Sequence, residues 1–404
     1  MSSFSWLDYA EADRQAALDV IDLFREQETR DELGIGTVRD AFSDLLFPGT
    51  SSVQTRAKYF FIVPWTYLRH ERSRTESAEI AQKMRRDEIA LIDVLQGSDD
   101  PDGIIGIRAK KTLKRLPSMI YWQGLGRLGI RTYTGGRDQY HRSLDRFYAR
   151  LNGTVRNDDG EVVDGVRPRN WDPGLPESPP GFPKTCSLAL SRSEARYLRE
   201  RIVHAAPKSL FAYLVDTSES VSEVGFPWEH PEVSSFPNHL ISVLEHSRNF
   251  SEALHGATLL YNLILAELDK NEETTSDYLE SVREWGELIA DDAARFRDWN
   301  VESFWSTVLT VNPRIPPLTR RFIDAWLGLA RGGQMKSIAQ STSARVLIAN
   351  RERELKRGLA RVDGGRALEL WGGAVGTRQI DYRWGAIARR MVEDIHSGLR
   401  RTDA

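Results

Sequence analysis

Apolar residues recur along this chain at intervals of three and four, the spacing that gathers them on one side of an α-helix. Ser5 and Asp8 form a capping-box pattern, and Leu18, Ile21 and Phe24 follow at helical spacing, so a helix is expected toward Arg30. Val38, Phe42, Leu45 and Leu46 predict a second helix, stopped by Pro48 and Gly49. A third is expected over Val53 to His70, where Pro64 should kink or end it. Ile80, Met84, Leu91, Ile92 and Leu95 build a further amphipathic face that closes at Gly97. The pattern resumes after residue 186: Leu190, Ala195, Leu198 and Ile202 predict a helix capped by Ser191 or Ser193. Ser251 to Leu268 is the most hydrophobic stretch, yet Glu252, His255, Asn262 and Glu267 interrupt it, so it reads as a central buried helix rather than a membrane span.

Between these helical stretches the period breaks. Thr154-Val155 and Val162-Val163 flank an Asn-Asp-Asp-Gly turn at 157–160, the pattern of a small β-hairpin. Six prolines from Pro168 to Pro183 mark an extended arm. The expected fold is therefore mainly α, with two helical lobes, residues 1–150 and 186–404, joined by a hairpin and Pro-rich linker at 151–185. No fixed internal period argues for a solenoid.

Composition fits an ordinary globular protein of 404 residues, with 40% hydrophobic and 28% charged positions. The single cysteine, Cys186, excludes an intramolecular disulfide and a Cys-based zinc site. The first ten residues hold neither a basic region nor an apolar run of the kind that directs export, so the cytoplasm is the expected compartment. Net charge is only −3, which excludes a protein that is basic all over. That near-neutrality is a sum of opposed regions. Residues 104–150 carry eleven Lys or Arg against two Asp, and residues 265–302 carry twelve acidic residues against four basic ones.

The basic stretch admits three readings. Gly124, Gly126 and Gly129 match the GxGxxG spacing that lets a backbone approach pyrophosphate, but no buried strand precedes them. The second reading is a helix-turn-helix over 104–131: a basic helix from Ala109 to Leu116, a turn and N-cap at Pro117-Ser118, and a second helix presenting Tyr121, Gln123 and Arg127. The third is a basic surface helix that simply packs on the bundle. Under the second, Lys110, Lys111, Lys114, Arg115, Arg127, Arg131 and Arg137 would contact phosphates and Gln123 a base edge, with Arg56 and Lys58 adding phosphate contacts. Tyr133, Tyr140, Phe147 and Tyr148 interleave with arginines and would offer stacking surfaces.

Other motifs point to no chemistry of their own. The eight histidines show no metal-ligand spacing, and neither a metal nor a cofactor is expected. Glu354 and Lys356 match the ExK half of an Mg-dependent nuclease, yet on a charged helix they read first as a solvated face. The glycines at 372, 373 and 376 lack a P-loop lysine and read as a tight turn.

Residues 33–65, 104–130 and 366–384 resemble a bacterial family of about this length known as a domain of unknown function. The resemblance spans nearly the whole chain and assigns no catalytic residue. It implies a cytosolic accessory protein of phage-defence gene clusters, working with a helicase or a phospholipase-D-like nuclease. The sequence reading is thus a non-enzymatic DNA-binding or adaptor subunit, with two alternatives: a protein-protein scaffold that meets its partner through the acidic 265–302 lobe, and an Mg-dependent nuclease.

Overall fold

The computed structural model describes residues 31–152, 168–217, 220–221, 223–333 and 335–402. The helix expected before Arg30 and the hairpin expected at 154–164 lie outside the described residues. The chain is mainly α. In order, its α-helices are α1 (Gly36–Leu46), α2 (Tyr59–Arg72), α3 (Ile80–Gln96), α4 (Pro117–Arg127), α5 (Arg137–Asn152), α6 (Arg192–Ala205), α7 (Leu210–Asp216), α8 (Asn238–Asp269), α9 (Glu272–Asp291), α10 (Ala293–Asp298), α11 (Val301–Val311), α12 (Pro317–Arg331), α13 (Thr342–Lys356), α14 (Gly365–Glu369) and α15 (Arg389–Arg400). None of the described helices is long and apolar enough to cross a membrane.

The chain divides into two compact units, and the division is not the contiguous one expected around residues 151–185. One unit takes residues 1–42 and 242–381; the other takes 43–241 and 382–404. Residues 43–150 and 186–241, expected in separate lobes, thus share a unit. The physical reason is visible in the Pro-rich segment, which is extended but fastened to that unit's body. Thr132 N donates to Asn170 O at 2.9 Å, Asp172 N to Ile130 O at 2.8 Å, and Trp65 Nε1 to Pro176 O at 2.8 Å.

The second unit is organised around α2. Its first nine residues are all buried, which is why Pro64 sits inside the helix instead of ending it: packing on every side holds the backbone that the missing N–H weakens. Three ion pairs, made by two cations, anchor the turn that feeds α2. Arg56 meets Asp394 of α15 through Nε at 3.0 Å and Asp100 at 2.7 Å, and Lys58 meets Glu194 at 2.6 Å. Both cations are therefore buried and committed within the unit, correcting their expected role in phosphate contact. Glu194 also closes the capping box with Ser191, the first of the two serines expected to cap α6.

In the first unit α8 is the central buried helix that its sequence predicted, with Ala253, Leu254, Ala257, Leu260, Tyr261 and Leu263 sealed from solvent. Asn262, also buried, fixes the glycine-rich turn. Its Oδ1 accepts from Trp371 Nε1 at 3.1 Å and Val375 N at 3.0 Å, while Nδ2 donates to Val375 O at 2.8 Å. Glu352 and Lys356 of α13 join Glu32, Tyr261 and Arg361 in a second buried network, with Tyr261 donating to Glu352 at 2.5 Å and Arg361 meeting Glu32 at 2.9 Å.

Candidate nucleic-acid interface

The helix-turn-helix reading places its first helix at 109–116. The structure has only a 3-10 turn there, Lys110–Thr112. Leu116 is extended because it precedes Pro117, so the helical backbone cannot run through it. The second element is present as α4. It is not capped by Ser118; Glu88 of α3 takes that role, accepting from Ser118 N at 2.6 Å and Ser118 Oγ at 2.9 Å. Burial pushes the Glu88 carboxyl up to about 7 against the pull of those two donors.

The glycines of α4 serve packing. A Cβ on Gly124 would lie 2.3 Å from Gly49 O, and Gly129, at φ +68°, ends the helix in the left-handed region. This removes the pyrophosphate rationale for the GxGxxG spacing. Met119, Gln123 and Arg127 form the exposed stripe of α4, whereas Tyr121 is 0% exposed. The Tyr121 hydroxyl donates to Arg56 O and receives Thr55 N, so it is a core group rather than a base-reading one.

Lys110, Lys111 and Lys114 are exposed. Arg85 of α3 holds their segment by donating to Leu113 O at 2.8 Å and Lys111 O at 3.0 Å, and Lys110 reaches Asp93 at 3.5 Å. Arg115 is half-buried, and Arg137 is half-buried and paired with Asp138 at 3.2 Å. Arg131 does not join them. Only 8% exposed, it donates to the carbonyls of Trp122, Tyr133 and Gly135, with its guanidinium 4.5 Å from the Trp122 ring centre. The interleaved aromatics are likewise largely core: Tyr140 and Tyr148 are buried, Tyr133 and Phe147 half-buried.

The concave basic surface lies where sequence reasoning did not place it. At its C-terminal end α2 emerges from the core, and the emerging residues are Leu68, Arg69, Glu71 and Arg72. A groove of about 540 Å³ opens beside them, lined by Arg69, Arg72, Lys83 and Arg86 with Asp87 as its acid. Asp87 meets His70 at 3.1 Å, Arg86 at 3.0 Å and Arg69 at 3.5 Å; Lys83 meets Glu79 at 2.7 Å. Burial lowers the His70 imidazole, so it is neutral near pH 7 and adds no charge. The Lys110–Lys111 segment lies along the same helix, α3, that supplies Lys83 and Arg86.

A second cavity of about 410 Å³ shares Arg69 and Arg72 and adds Arg169. On its wall Glu71 is held by three donors to one oxygen: Tyr140 Oη at 2.5 Å, Asn170 Nδ2 at 3.0 Å and Trp171 Nε1 at 3.1 Å, all to Oε1. Burial nevertheless leaves its carboxyl above the ordinary value.

The signal for this surface was present as two short basic runs, Arg69 to Arg74 and Lys83 to Arg86, but Glu71, Glu76 and Glu79 dilute any longer count. Glu354 and Lys356 diverge. Glu354 is exposed and pairs with Arg351 at 3.6 Å, while Lys356 turns to Glu352 at 2.8 Å and to Glu32. Among the described residues no three His, Cys, Asp or Glu side chains are grouped to hold a metal. His246 accepts from Trp299 Nε1 at 2.9 Å and His255 donates to Thr377 O at 3.0 Å, both as packing groups.

The fold and this surface define an α-helical protein with a basic, grooved face. Residues 1–398 match the family of unknown function DUF6361, and the chain belongs to that family. No curated protein and no solved structure matches it.

Proposed function

We propose that the protein is a non-enzymatic nucleic-acid-binding or adaptor subunit of a bacterial, antiphage nucleic-acid-processing system. The observation that carries the nucleic-acid reading is the convergence of Arg69, Arg72, Lys83 and Arg86 on one groove, beside a cavity that shares two of them. A phosphate backbone is the ligand such a surface suits, because each neutralised phosphate releases condensed counterions. Exposed Lys110, Lys111 and Lys114, on a segment held to α3 through Arg85, add further cations to the same unit, with Arg115 beside them. Gln123 and Arg127 add an exposed polar stripe on α4. The adaptor role, the antiphage setting and a helicase or phospholipase-D-like nuclease partner rest on the family resemblance of residues 33–65, 104–130 and 366–384.

Electrophoretic shifts at low salt test it. Charge reversal at Arg72, Lys83 and Arg86, or at Lys110, Lys111, Lys114 and Arg115, is expected to weaken binding of duplex and single-stranded DNA at least tenfold, roughly one lost contact or more. Wild-type affinity in both variants contradicts the proposal.

One observation favours the scaffold alternative. Beside the acidic α9 a groove of about 740 Å³ is lined by exposed Leu288 and half-buried Tyr278 together with Asp277 and Glu284, with buried Leu259 of α8 at its base, a combination that suits a basic amphipathic helix of a partner. Co-purification of a partner that Leu288→Asp abolishes, with no intrinsic DNA shift, would select it.

A further inference from the structure

The cavity containing Glu71 is not explained by phosphate contact alone. A carboxylate is an unsuitable neighbour for phosphate, yet Glu71 sits on the same wall as Arg69 and Arg72. Its placement is specific. Tyr140, Asn170 and Trp171 converge on Oε1 and fix the plane of the carboxyl group, while no donor among the described residues meets Oε2. The three donors come from two separate stretches, α5 and the Pro-rich segment. Tyr140, Asn170 and Trp171 are themselves buried, so the group is held on a rigid support. Leu68, Leu175 and the half-buried Phe147 supply apolar and planar walls; of the two other acids in the lining, Asp172 is taken up by Tyr197 at 3.0 Å and Arg201 at 3.2 Å, and Glu177 is exposed at the rim. At about 410 Å³ the cavity is the size of a small-ligand site.

Resting on the nucleic-acid reading above, we infer that this cavity takes one unstacked nucleobase carrying an exocyclic amino group, which donates to Glu71 Oε2 while Arg69, Arg72 and Arg169 hold the adjoining phosphate. Adenine, cytosine and guanine each present such an amino donor. Thymine presents a ring N–H between two carbonyl oxygens, which face a carboxylate unfavourably. Phe147 offers the planar contact that single-stranded binding commonly uses.

The test compares oligo(dC) with oligo(dT) of equal length, so that backbone charge is constant, by fluorescence anisotropy on the full chain. The wild type is expected to prefer oligo(dC) by about tenfold, the scale of one hydrogen bond to a charged group. Glu71→Gln carries the sharper expectation. Its amide oxygen takes the three donors, which leaves the amide NH2 where Oε2 was, so an acceptor becomes a donor. The preference should then fall to unity or pass to oligo(dT), whose carbonyls accept, while the salt dependence stays unchanged. Phe147→Ala should weaken both oligonucleotides without altering their ratio. Equal wild-type affinity for the two oligonucleotides, each salt-sensitive, overturns this inference and leaves the nucleic-acid reading standing; binding of neither at low salt overturns both.

Discussion

Glu88 is a carboxyl group without access to water, used to begin a helix. It satisfies Ser118 N and Oγ in the first turn of α4, where the backbone donors have no partner within the helix. Enclosure dominates those bonds and raises its proton affinity from the ordinary 4.5 to about 7. The folded state therefore holds this proton more tightly than the unfolded chain, so its stabilisation is complete below about 4.5 and is lost as pH rises toward about 7. Urea unfolding of the wild type and Glu88→Gln across that range should show the wild type losing on the order of 3 kcal/mol relative to the variant. A difference that is flat with pH would contradict this account of Glu88. Arg131 makes the complementary point, that a cation in a basic run need not face solvent: three backbone carbonyls and the Trp122 ring absorb its charge.

At the scale of elements, α2 and α4 both override a local preference through packing. Alanine ordinarily stabilises a helix over glycine by about 1 kcal/mol. Gly124→Ala should do the reverse, because its Cβ would press on Gly49 O at 2.3 Å. Thermal unfolding should show a net loss of about 1–2 kcal/mol, overpacking outweighing propensity; a rise in Tm would contradict the close approach. Asn262 of α8 holds the centre of the glycine-rich turn after α14, bonding both the N–H and the C=O of Val375, and His255 of the same helix meets Thr377 O. Asn262→Leu, similar in volume, leaves those groups and Trp371 Nε1 unpaired, and chemical denaturation should show a cost of about 2–4 kcal/mol.

Over the whole molecule, periodicity made the mainly α class and the buried α8 legible, because a helix must hide its apolar side whatever it packs against. Ser191 was legible as an N-cap for the same local reason. The division into units was not, since Arg56 finds Asp394 across 338 residues and nothing local announces that partner. The basic surface was half legible: Lys110, Lys111 and Lys114 are exposed as charge counting suggested, but the concave part belongs to Arg69, Arg72, Lys83 and Arg86, brought together only by the packing of α2 beside α3. Tyr121, Arg56 and Lys58 were misplaced because residue type alone does not say which way a side chain points.

Whether this face binds a phosphate backbone is decided by salt dependence. Affinity for a DNA oligonucleotide should be measured from about 50 to about 200 mM salt. Log Kobs should fall linearly with log[salt] with a slope of about −3 or steeper, and alanine at Arg72, Lys83 and Arg86 should reduce the slope by roughly 0.7–0.9 for each contact removed. An affinity that does not change with salt, or a slope that the three replacements leave unmoved, contradicts binding of a phosphate backbone by this face.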